Sequence, residues 1–368
     1  MEDITVGFIG FGLIGGSIAK ALKEKHPGAA LIGYDHHVDS INQNLELALQ
    51  DGTLSRITHD FTEDFKSCDL ILLCGPVLRN IKYLEQLKPV IKPSSIISDV
   101  GSVKGAMHEA VERLGMTKHF IGGHPMAGSE KTGYEHADAR LLENAYYILT
   151  PTKDTTKEQI TFMEELVSCT AAIPIVMDYK KHDDATAAIS HVPHVISASL
   201  VNMVQKKDTD GTMKILAAGG FKDITRISSS SPEMWQSICL SNTESMLKFI
   251  HVFQEQLADF ETALTNQEQV SLLHFFETAK DYRDSVPSSS RGPIARVFEV
   301  YMDILDETGA IATVATILAS NSISIKNIGI IHNREFEDGV LRIELYEEES
   351  MKRTIALLRN YHYTVYER

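Results

Sequence analysis

The sequence lacks several features that mark whole classes of protein. Its four cysteines are scattered and form no C-x-x-C pair, so neither a disulfide framework nor a zinc site is predicted, and no other metal site is indicated. Positive charge is also scarce. The formal net charge of −15 argues against nucleic acid as a partner, because phosphate binding requires a basic face. The same charge disfavours nonspecific docking on an anionic membrane.

Long apolar runs are missing from the sequence as well. Runs such as residues 70–74 are far shorter than the ~20 residues that a membrane helix needs. The chain opens Met1-Glu2-Asp3, with no basic segment followed by an apolar one, so no signal peptide is predicted. We therefore expect a cytoplasmic protein with reduced cysteines. Its 368 residues, 43% of them apolar, allow two or three domains with ordinary cores.

Strand and helix signals alternate over about residues 1–175. Short apolar runs recur there, and most are separated by stretches whose apolar residues follow a helical spacing. This alternation is typical of parallel βαβ units. It predicts an α/β, Rossmann-like domain for the first part of the chain.

Residues 178–283 are expected to form an all-α domain that mediates dimerisation. Ser231 is a suitable N-cap and Pro232 suits the first helical position, so a helix is predicted to begin there and to run to about Leu264. A helix of that length, roughly 50 Å, more often forms the spine of a dimer-forming domain than part of a small isolated one. A homodimer or a higher homo-oligomer is therefore expected.

A linker and a third domain complete the predicted organisation. Residues 284–296 contain a run rich in serine and proline, which is typical of a linker. Residues 297–368 then show strand and helix patterns in the order β-α-β-β-α-β. That order predicts a ferredoxin-like fold.

A glycine motif near the N-terminus predicts a dinucleotide site. Gly-x-Gly-x-x-Gly follows a strand and opens a helix, so backbone N–H groups and the positive end of the helix dipole can face a pyrophosphate. An acidic residue at the end of the second strand favours NAD over NADP, since it bonds a ribose hydroxyl and repels a 2′-phosphate. A glycine turn beside a solvated aspartate is the alternative. The residues expected to hold NAD are Gly10, Gly12, Leu13, Ile14, Gly15 and Asp35.

A histidine in a second glycine-rich segment is the candidate base. Residues 122–130 read GGHPMAGSE and follow an apolar pair, which places His124 in a loop at the carboxyl end of a strand. Open α/β sheets bind ligands at that edge, and a histidine is a suitable general base near neutral pH. A histidine that only shapes the loop fits the same spacing. Another strand ends before Ser102 and Lys104, which places a hydroxyl and an ammonium at the same edge.

Further candidate site residues lie in the helical segment. His194 points away from the apolar side of its helix, and Pro193 frees a carbonyl group and predicts a kink. Lys222 and Arg226 are one helical turn apart, so they could supply the local positive charge that an anionic substrate needs in an acidic protein. Trp235 follows them.

Five motifs occur in order along about residues 4–265. They read GxGLIGGS, DVGSVK, GGHPMAGSE, SHxPH and GFKDxTR. Together they resemble the prephenate dehydrogenases, the TyrA family of tyrosine biosynthesis. The resemblance implies NAD-dependent oxidative decarboxylation of prephenate to 4-hydroxyphenylpyruvate.

The resemblance also implies roles for individual residues. His124 is expected to take the proton of the C4 hydroxyl group, and Ser102 to orient that hydroxyl. Arg226 is expected to bind the ring carboxylate through two bonds. The other expected substrate contacts are Lys222, His194, His182 and Trp235.

The C-terminal unit resembles an ACT domain. Such domains commonly bind an amino acid at a D-x-x-G turn, which corresponds here to Asp306 and Gly309, with Asn327 expected nearby. The resemblance implies L-tyrosine, the end product of the pathway, as a feedback inhibitor. A plain turn that begins a helix fits the same residues.

The sequence leaves three alternative functions open. An arogenate dehydrogenase performs the same chemistry on a substrate with an amino group in place of the keto group. A dinucleotide-binding sensor has no need for Ser102, His124 and Arg226 together. A 3-hydroxyacid-type dehydrogenase predicts a base on the helical domain rather than in a loop of the first domain.

Overall fold

The computed structural model describes residues 4–35, 43–128, 131–286, 298–304, 309–331 and 339–366. These residues belong to two compact units, Met1–Gly292 and Pro293–Arg368. The two predicted domains at 1–175 and 178–283 fall in the first unit, and the predicted domain at 297–368 falls in the second. Most of the predicted linker, 284–296, lies outside the described residues.

A five-stranded parallel sheet forms the base of the first unit, in the order β3-β2-β1-β4-β5. Its strands are β1 (Thr5–Ile9), β2 (Ala30–Tyr34), β3 (Arg56–Ile57), β4 (Leu70–Leu73) and β5 (Ile96–Asp99). Its helices are α1 (Leu13–Lys25), α2 (Gln43–Gln50), α3 (Phe61–Asp64), α4 (Val77–Leu87) and α5 (Gly105–Leu114). Side chains alternate along each strand, so Phe8 packs into the core on one face and Ile9 into the core on the other.

A second sheet of three strands extends this domain. It consists of β6 (Ile121–Pro125), β7 (Tyr146–Pro151) and β8 (Ile173–Val176), with α6 (Lys157–Cys169) between the last two. The residue before β6 makes a parallel bridge to β5, between Phe120 and Ile97. The carboxyl end of β6 therefore lies beside the carboxyl end of β5. The Rossmann-like prediction is confirmed, although β6 and β7 are antiparallel where only parallel units were expected.

The helical part of the first unit contains seven helices. They are α7 (Tyr179–Thr186), α8 (Val192–Lys207), α9 (Thr212–Leu216), α10 (Gly219–Thr225), α11 (Pro232–Ser241), α12 (Thr243–Thr265) and α13 (Gln269–Ser285). A π-helical turn, Ala187–His191, joins α7 to α8 directly before Pro193. The kink predicted at this proline therefore takes the form of a π turn, a feature common at functional sites.

The single helix predicted from Pro232 to Leu264 is wrong. The structure breaks it at Asn242, between α11 and α12. The Asn242 side chain is buried and donates to the backbone oxygen of Asp183 (3.0 Å), and it also bonds to His191 Nδ1 (3.2 Å). These long-range bonds hold the chain at the break.

Apolar side chains are exposed along α8 and its neighbours. The continuous helical stretch Tyr179–Lys207 has the length and apolar composition of a membrane-crossing helix, a test that core helices also pass. Its polar residues His182, Asp183 and His191 are buried, whereas Ile189 and Met203 are 68% and 54% exposed. A helix that buries its polar side and exposes its apolar side presents a surface suited to another protein chain.

The second unit has the β-α-β-β-α-β order predicted from the sequence, which confirms the ferredoxin-like fold expected of an ACT domain. Its elements are β9 (Phe298–Ile304), α14 (Ala310–Ser320), β10 (Ile325–Ile331), β11 (Gly339–Leu345), α15 (Glu348–Asn360) and β12 (Val365–Tyr366). The sheet order is β10-β11-β9-β12, and every neighbouring pair is antiparallel.

The expected effector residues do not lie together within one such unit. Asn327 is level with Glu344, which is level with Glu299 near the start of β9, whereas Gly309 follows the far end of that strand. Five residues of strand separate the two levels, or about 17 Å. Strand register cannot be read from the sequence, and Asn327 is not level with the turn as was expected. Asp306 lies outside the described residues.

Candidate active site

The glycine loop after β1 has the geometry of a phosphate-binding turn. Gly10 has a φ of 84°, a left-handed conformation that side chains other than glycine rarely adopt. A Cβ atom on Gly15 would lie 3.1 Å from the Gly10 carbonyl oxygen, so this glycine allows α1 to pack closely on the loop. A Cβ atom on Gly12 would meet no described atom within 4 Å, and this side of the loop is open to a ligand.

The start of α1 offers free donors beside that open space. Gly12 is the N-cap, and none of the described side chains caps the helix. The first-turn N–H groups of Leu13 and Ile14 can therefore face a pyrophosphate. Asp35 follows β2, and its carboxylate accepts a long bond from the Phe11 N–H (3.4 Å), so it lies against the same loop. These residues fit a dinucleotide whose ribose hydroxyls meet a carboxylate.

His124 lies at the carboxyl end of β6, where its ring joins a chain of hydrogen bonds. Its Nδ1 atom is 2.8 Å from Nε2 of His182, and Nδ1 of His182 is 2.8 Å from the carboxylate of Asp183. Asp183 also accepts the backbone N–H groups of Lys104 (2.8 Å) and Gly105 (2.7 Å) at the start of α5. The N-terminus of α5 therefore fixes Asp183, the last residue of this chain of hydrogen bonds.

This arrangement determines which nitrogen of His124 carries the proton. A carboxylate that already accepts two backbone N–H groups accepts a third bond from His182 Nδ1–H. His182 Nε2 is then an acceptor, so His124 must donate from Nδ1. Nε2 of His124 is left with its lone pair, the state that a general base requires.

The surroundings of His124 also keep its ring neutral. Burial, the adjoining His182 ring and the Lys104 ammonium hold the pKa of His124 well below its usual value. The ring is therefore unprotonated at neutral pH. His182, which was expected to contact substrate, is buried and bonded through both ring nitrogens, so it orients His124 instead of binding a ligand.

Ser102 and Lys104 follow β5, but only the serine remains accessible. Ser102 is partly exposed in the loop between β5 and α5, at the sheet edge that carries His124. Lys104 was expected to place its ammonium at that edge. It is instead fully buried and paired with Asp99, and its ammonium donates to the Gly123 carbonyl oxygen of β6 (2.7 Å).

The helical part contributes an aromatic group close to this edge. The rings of His194 and Trp235 stack face to face with centroids 3.6 Å apart, and His191 meets the Trp235 ring edge-on at 6.0 Å. Nε1 of Trp235 is shielded from solvent and has no hydrogen-bond partner among the residues that the structure describes. Burial lowers the pKa of His194. The Trp235 N–H is thus a donor suited to an anionic or carbonyl group.

Lys222 and Arg226 lie on α10 and on the short 3-10 turn that follows it. Both side chains are exposed. Their segment is held against α8 by Ser197, whose hydroxyl donates to the Ile224 carbonyl oxygen (3.0 Å) and lies 2.6 Å from the Ser228 hydroxyl. The helix that carries His194 therefore also anchors the two cations.

Sequence reasoning missed three residues that support the site. Asp183 is not among the candidates drawn from the sequence, and His191 appears there only within the SHxPH motif. Asn242, which bonds to the backbone of Asp183 and to the ring of His191, lies 59 residues after Asp183 in the chain. The only sequence signal was a polar residue within a helical pattern, and such residues are more often exposed.

Comparison of the sequence with known proteins identifies the family of this chain. Residues 18–175 match the family model described as the nucleotide-binding domain of prephenate dehydrogenase, and residues 178–278 match its dimerization domain. The chain is 37% identical to the prephenate dehydrogenase of Bacillus subtilis (strain 168) over 356 residues, which are 96% of this chain and 95% of that one. The chain belongs to the prephenate dehydrogenase family. The resemblance inferred from the motifs is thus confirmed.

Two solved structures of relatives are similar to this chain over more than three quarters of its length. A prephenate dehydrogenase from Aquifex aeolicus, in complex with hydroxyphenyl propionate and NAD+, is 30% identical with a TM-score of 0.72. The similarity covers 78% of this chain and 99% of that one. An arogenate dehydrogenase from Synechocystis is 30% identical with a TM-score of 0.69, covering 77% of this chain and all of that one.

Proposed function

We propose that this chain catalyses the NAD-dependent oxidative decarboxylation of prephenate to 4-hydroxyphenylpyruvate. The observation that carries the proposal is the hydrogen-bond chain that leaves the lone pair of His124 on Nε2, at the same sheet edge as the dinucleotide loop. Family membership supports the substrate, and the NAD+ complex of the Aquifex relative supports the cofactor. The carboxylate of Asp35 favours NAD over NADP.

His124 is the general base of the proposed reaction. Its Nε2 atom takes the proton of the C4 hydroxyl as the C4 hydride departs, while Ser102 orients the same hydroxyl. The glycine loop and Asp35 would hold NAD+, which would accept the hydride when bound. The positive charge that develops on His124 is stabilised through His182 by the carboxylate of Asp183. Loss of CO₂ then makes the ring aromatic, and the oxygen at C4 takes the proton back as a phenol.

The two carboxylates of prephenate need donors at the opposite end of the ring. Arg226 is proposed to bind the ring carboxylate, because a guanidinium meets a carboxylate with two parallel bonds. The groups proposed for the pyruvyl end are Lys222, His194 and the Trp235 N–H, which has no partner among the described residues. In a chain with a net charge of −15, this local pair of cations supplies the positive potential that a dianion requires.

The decisive test is NADH formation by the purified chain with prephenate and with arogenate. Arogenate is the second candidate substrate because the Synechocystis relative is an arogenate dehydrogenase. We expect kcat/KM to be at least tenfold higher with prephenate and with NAD+ than with arogenate or NADP+. Turnover of arogenate alone would contradict the proposal, and turnover of neither would reject the function.

A second copy of the chain is proposed to cover the exposed apolar side of the helical domain. The match to a dimerization domain supports this, as do the exposed side chains of Ile189, Met203, Ile215 and Leu216. Burial of such residues is favourable by about 25 cal/mol for each Å² removed from water. The proposed assembly is a homodimer or a higher homo-oligomer in the cytoplasm.

Feedback inhibition by L-tyrosine is proposed for the second unit. That unit contains a cavity of about 1100 Å³ whose lining includes Arg353, Glu347 and Tyr346. A guanidinium and a carboxylate match the two charges of an amino acid, and Tyr346 can pack against an aromatic side chain. The turn at Gly309, with a φ of 91°, remains an alternative place for the ligand.

Deleting residues 294–368 should leave dehydrogenase activity within about threefold of the full chain and abolish inhibition by tyrosine. The first unit ends at Gly292. The Synechocystis relative is covered over its whole length by 77% of this chain, so that relative has no counterpart of the remaining part. The measurement is the initial rate of NADH formation over a range of tyrosine concentrations. If the truncated chain is still inhibited, tyrosine binds at the active site instead.

A further inference from the structure

A buried ion pair lies against β6, the strand that carries His124. Lys104 and Asp99 are both fully buried, and the lysine ammonium bonds to the aspartate carboxylate. The same ammonium donates to the Gly123 carbonyl oxygen (2.7 Å), while Asp99 accepts the Gly123 N–H (3.3 Å). The pair therefore holds the backbone on both sides of the residue that precedes His124.

The pair also connects this strand to two other parts of the site. Asp99 accepts the Gly101 N–H (3.0 Å), and the Lys104 N–H donates to Asp183 (2.8 Å). The loop that carries Ser102 runs between the two charged residues. The two charged residues thus connect three elements: the loop that carries Ser102, strand β6 with His124, and α7, where Asp183 ends the hydrogen-bond chain.

We propose that the Asp99–Lys104 pair is a positioning element of the catalytic site, which holds the Ser102 loop and His124 in place relative to each other. The inference rests on the proposed function. A contribution to stability explains the pair poorly, because the desolvation of two buried charges often cancels their attraction. Neither residue contacts substrate in this account, and both act through the backbone and the electric field.

The charge of Lys104 acts directly on the base. Among the described residues, the titratable or charged groups that act on the His124 ring are His182, Lys104 and His191. Asp183 lies behind His182, and Asp99 is paired with Lys104. After burial and the His182 ring, Lys104 is the next cause that lowers the pKa of His124. Burial lowers the pKa of Lys104 itself, and the facing carboxylate of Asp99 opposes that effect. Removing the ammonium should therefore make His124 easier to protonate.

The test is the double variant Asp99→Asn, Lys104→Met, which leaves no unpaired charge in the interior. We expect NAD+ affinity to stay within about twofold of wild type, because the glycine loop is untouched. With prephenate, kcat should fall about 10²-fold, the cost of a misplacement of roughly 1 Å. The acid limb of kcat/KM should move to higher pH, since activity is lost as pH falls through the pKa of His124 and that pKa is raised.

Two further variants separate positioning from folding. Lys153→Met removes an exposed lysine that pairs with Glu112 on the surface (2.6 Å), and it should match wild type in rate and pH profile. Lys104→Arg keeps the charge but not the shape, so kcat should fall while the acid limb stays in place.

Each outcome bears on the proposal. A double variant that binds NAD+ and retains wild-type kcat and acid limb overturns it. If the double variant does not fold, the Lys104→Arg variant provides the test. A lowered kcat with an unchanged acid limb of kcat/KM supports the proposal, and a wild-type kcat overturns it. Failure of the wild-type chain to oxidise prephenate would instead refute the proposed function, so the two failures are distinguishable.

Discussion

Replacing His124 with asparagine should lower kcat for prephenate oxidation by about 10²–10⁴-fold, the usual contribution of a general base. Asparagine can still donate to Nε2 of His182, so the hydrogen-bond chain behind the site survives. It has no basic nitrogen with which to take the hydroxyl proton. The measurement is the steady-state rate of NADH formation, combined with a fluorescence titration of NAD+, whose affinity should not change.

A second histidine of the same domain provides the control for this variant. His136 lies on a short 3-10 turn, Tyr134–His136, with its side chain 37% exposed. His136→Asn should leave both kcat and NAD+ affinity unchanged. Near-normal turnover by His124→Asn would remove His124 from the mechanism, however well the variant binds its cofactor.

Replacing Arg226 with alanine should raise the KM for prephenate about tenfold to a hundredfold. A hydrogen bond to a charged group contributes about 1.5–3 kcal/mol, and 1.4 kcal/mol corresponds to a factor of ten. Arg226→Lys should fall between alanine and wild type, because an ammonium keeps the charge but cannot form two parallel bonds. The KM for NAD+ should be unaffected in both variants.

An exposed lysine at the end of α8 tests whether any cation in this acidic chain has the same effect. Lys207 is exposed in the last turn of that helix. Lys207→Ala should leave the KM for prephenate within about twofold of wild type. Equal losses in the two alanine variants would indicate long-range attraction only, and an unchanged KM in Arg226→Ala would show that the ring carboxylate is bound elsewhere.

The sequence was informative where local chemistry repeats a fixed pattern. The glycine spacing at residues 10–15 requires one backbone conformation, and Gly10 adopts it with its positive φ. The βαβ alternation and the order of the last six elements follow from periodicity alone. The position of His124 after a strand made it a candidate base, but a histidine that only shapes the loop fits the same spacing. The five ordered motifs favoured the base.

The direction of side chains and the register of strands could not be read from the sequence. Lys104 follows a strand end just as Ser102 does, yet one is buried beneath β6 and the other is accessible. The bond between Lys104 and Asp183 joins residues 79 positions apart, a separation that no local pattern encodes. The break at Asn242 has the same cause, because tertiary hydrogen bonds override a strong helical periodicity.

The unpartnered apolar side of α8 was also beyond prediction from periodicity. The spacing of Ile189 and Met203 indicates an amphipathic helix, but the same spacing fits packing against the chain's own core or against another copy. Only the fold shows that the polar side, with His191 and His194, faces inward. The exposed apolar residues then become an argument for an assembly.

The proposed mechanism requires His124 and Arg226 to contact the same substrate molecule at opposite ends. The direct measurement is a crystal structure of the His124→Asn variant with NAD+ and prephenate, since a slow variant retains its substrate. We expect the side chain at position 124 to lie within hydrogen-bond distance of the C4 hydroxyl, and the Arg226 guanidinium to face the ring carboxylate. Electron density that places either side chain at a different cavity from the substrate would contradict the central claim.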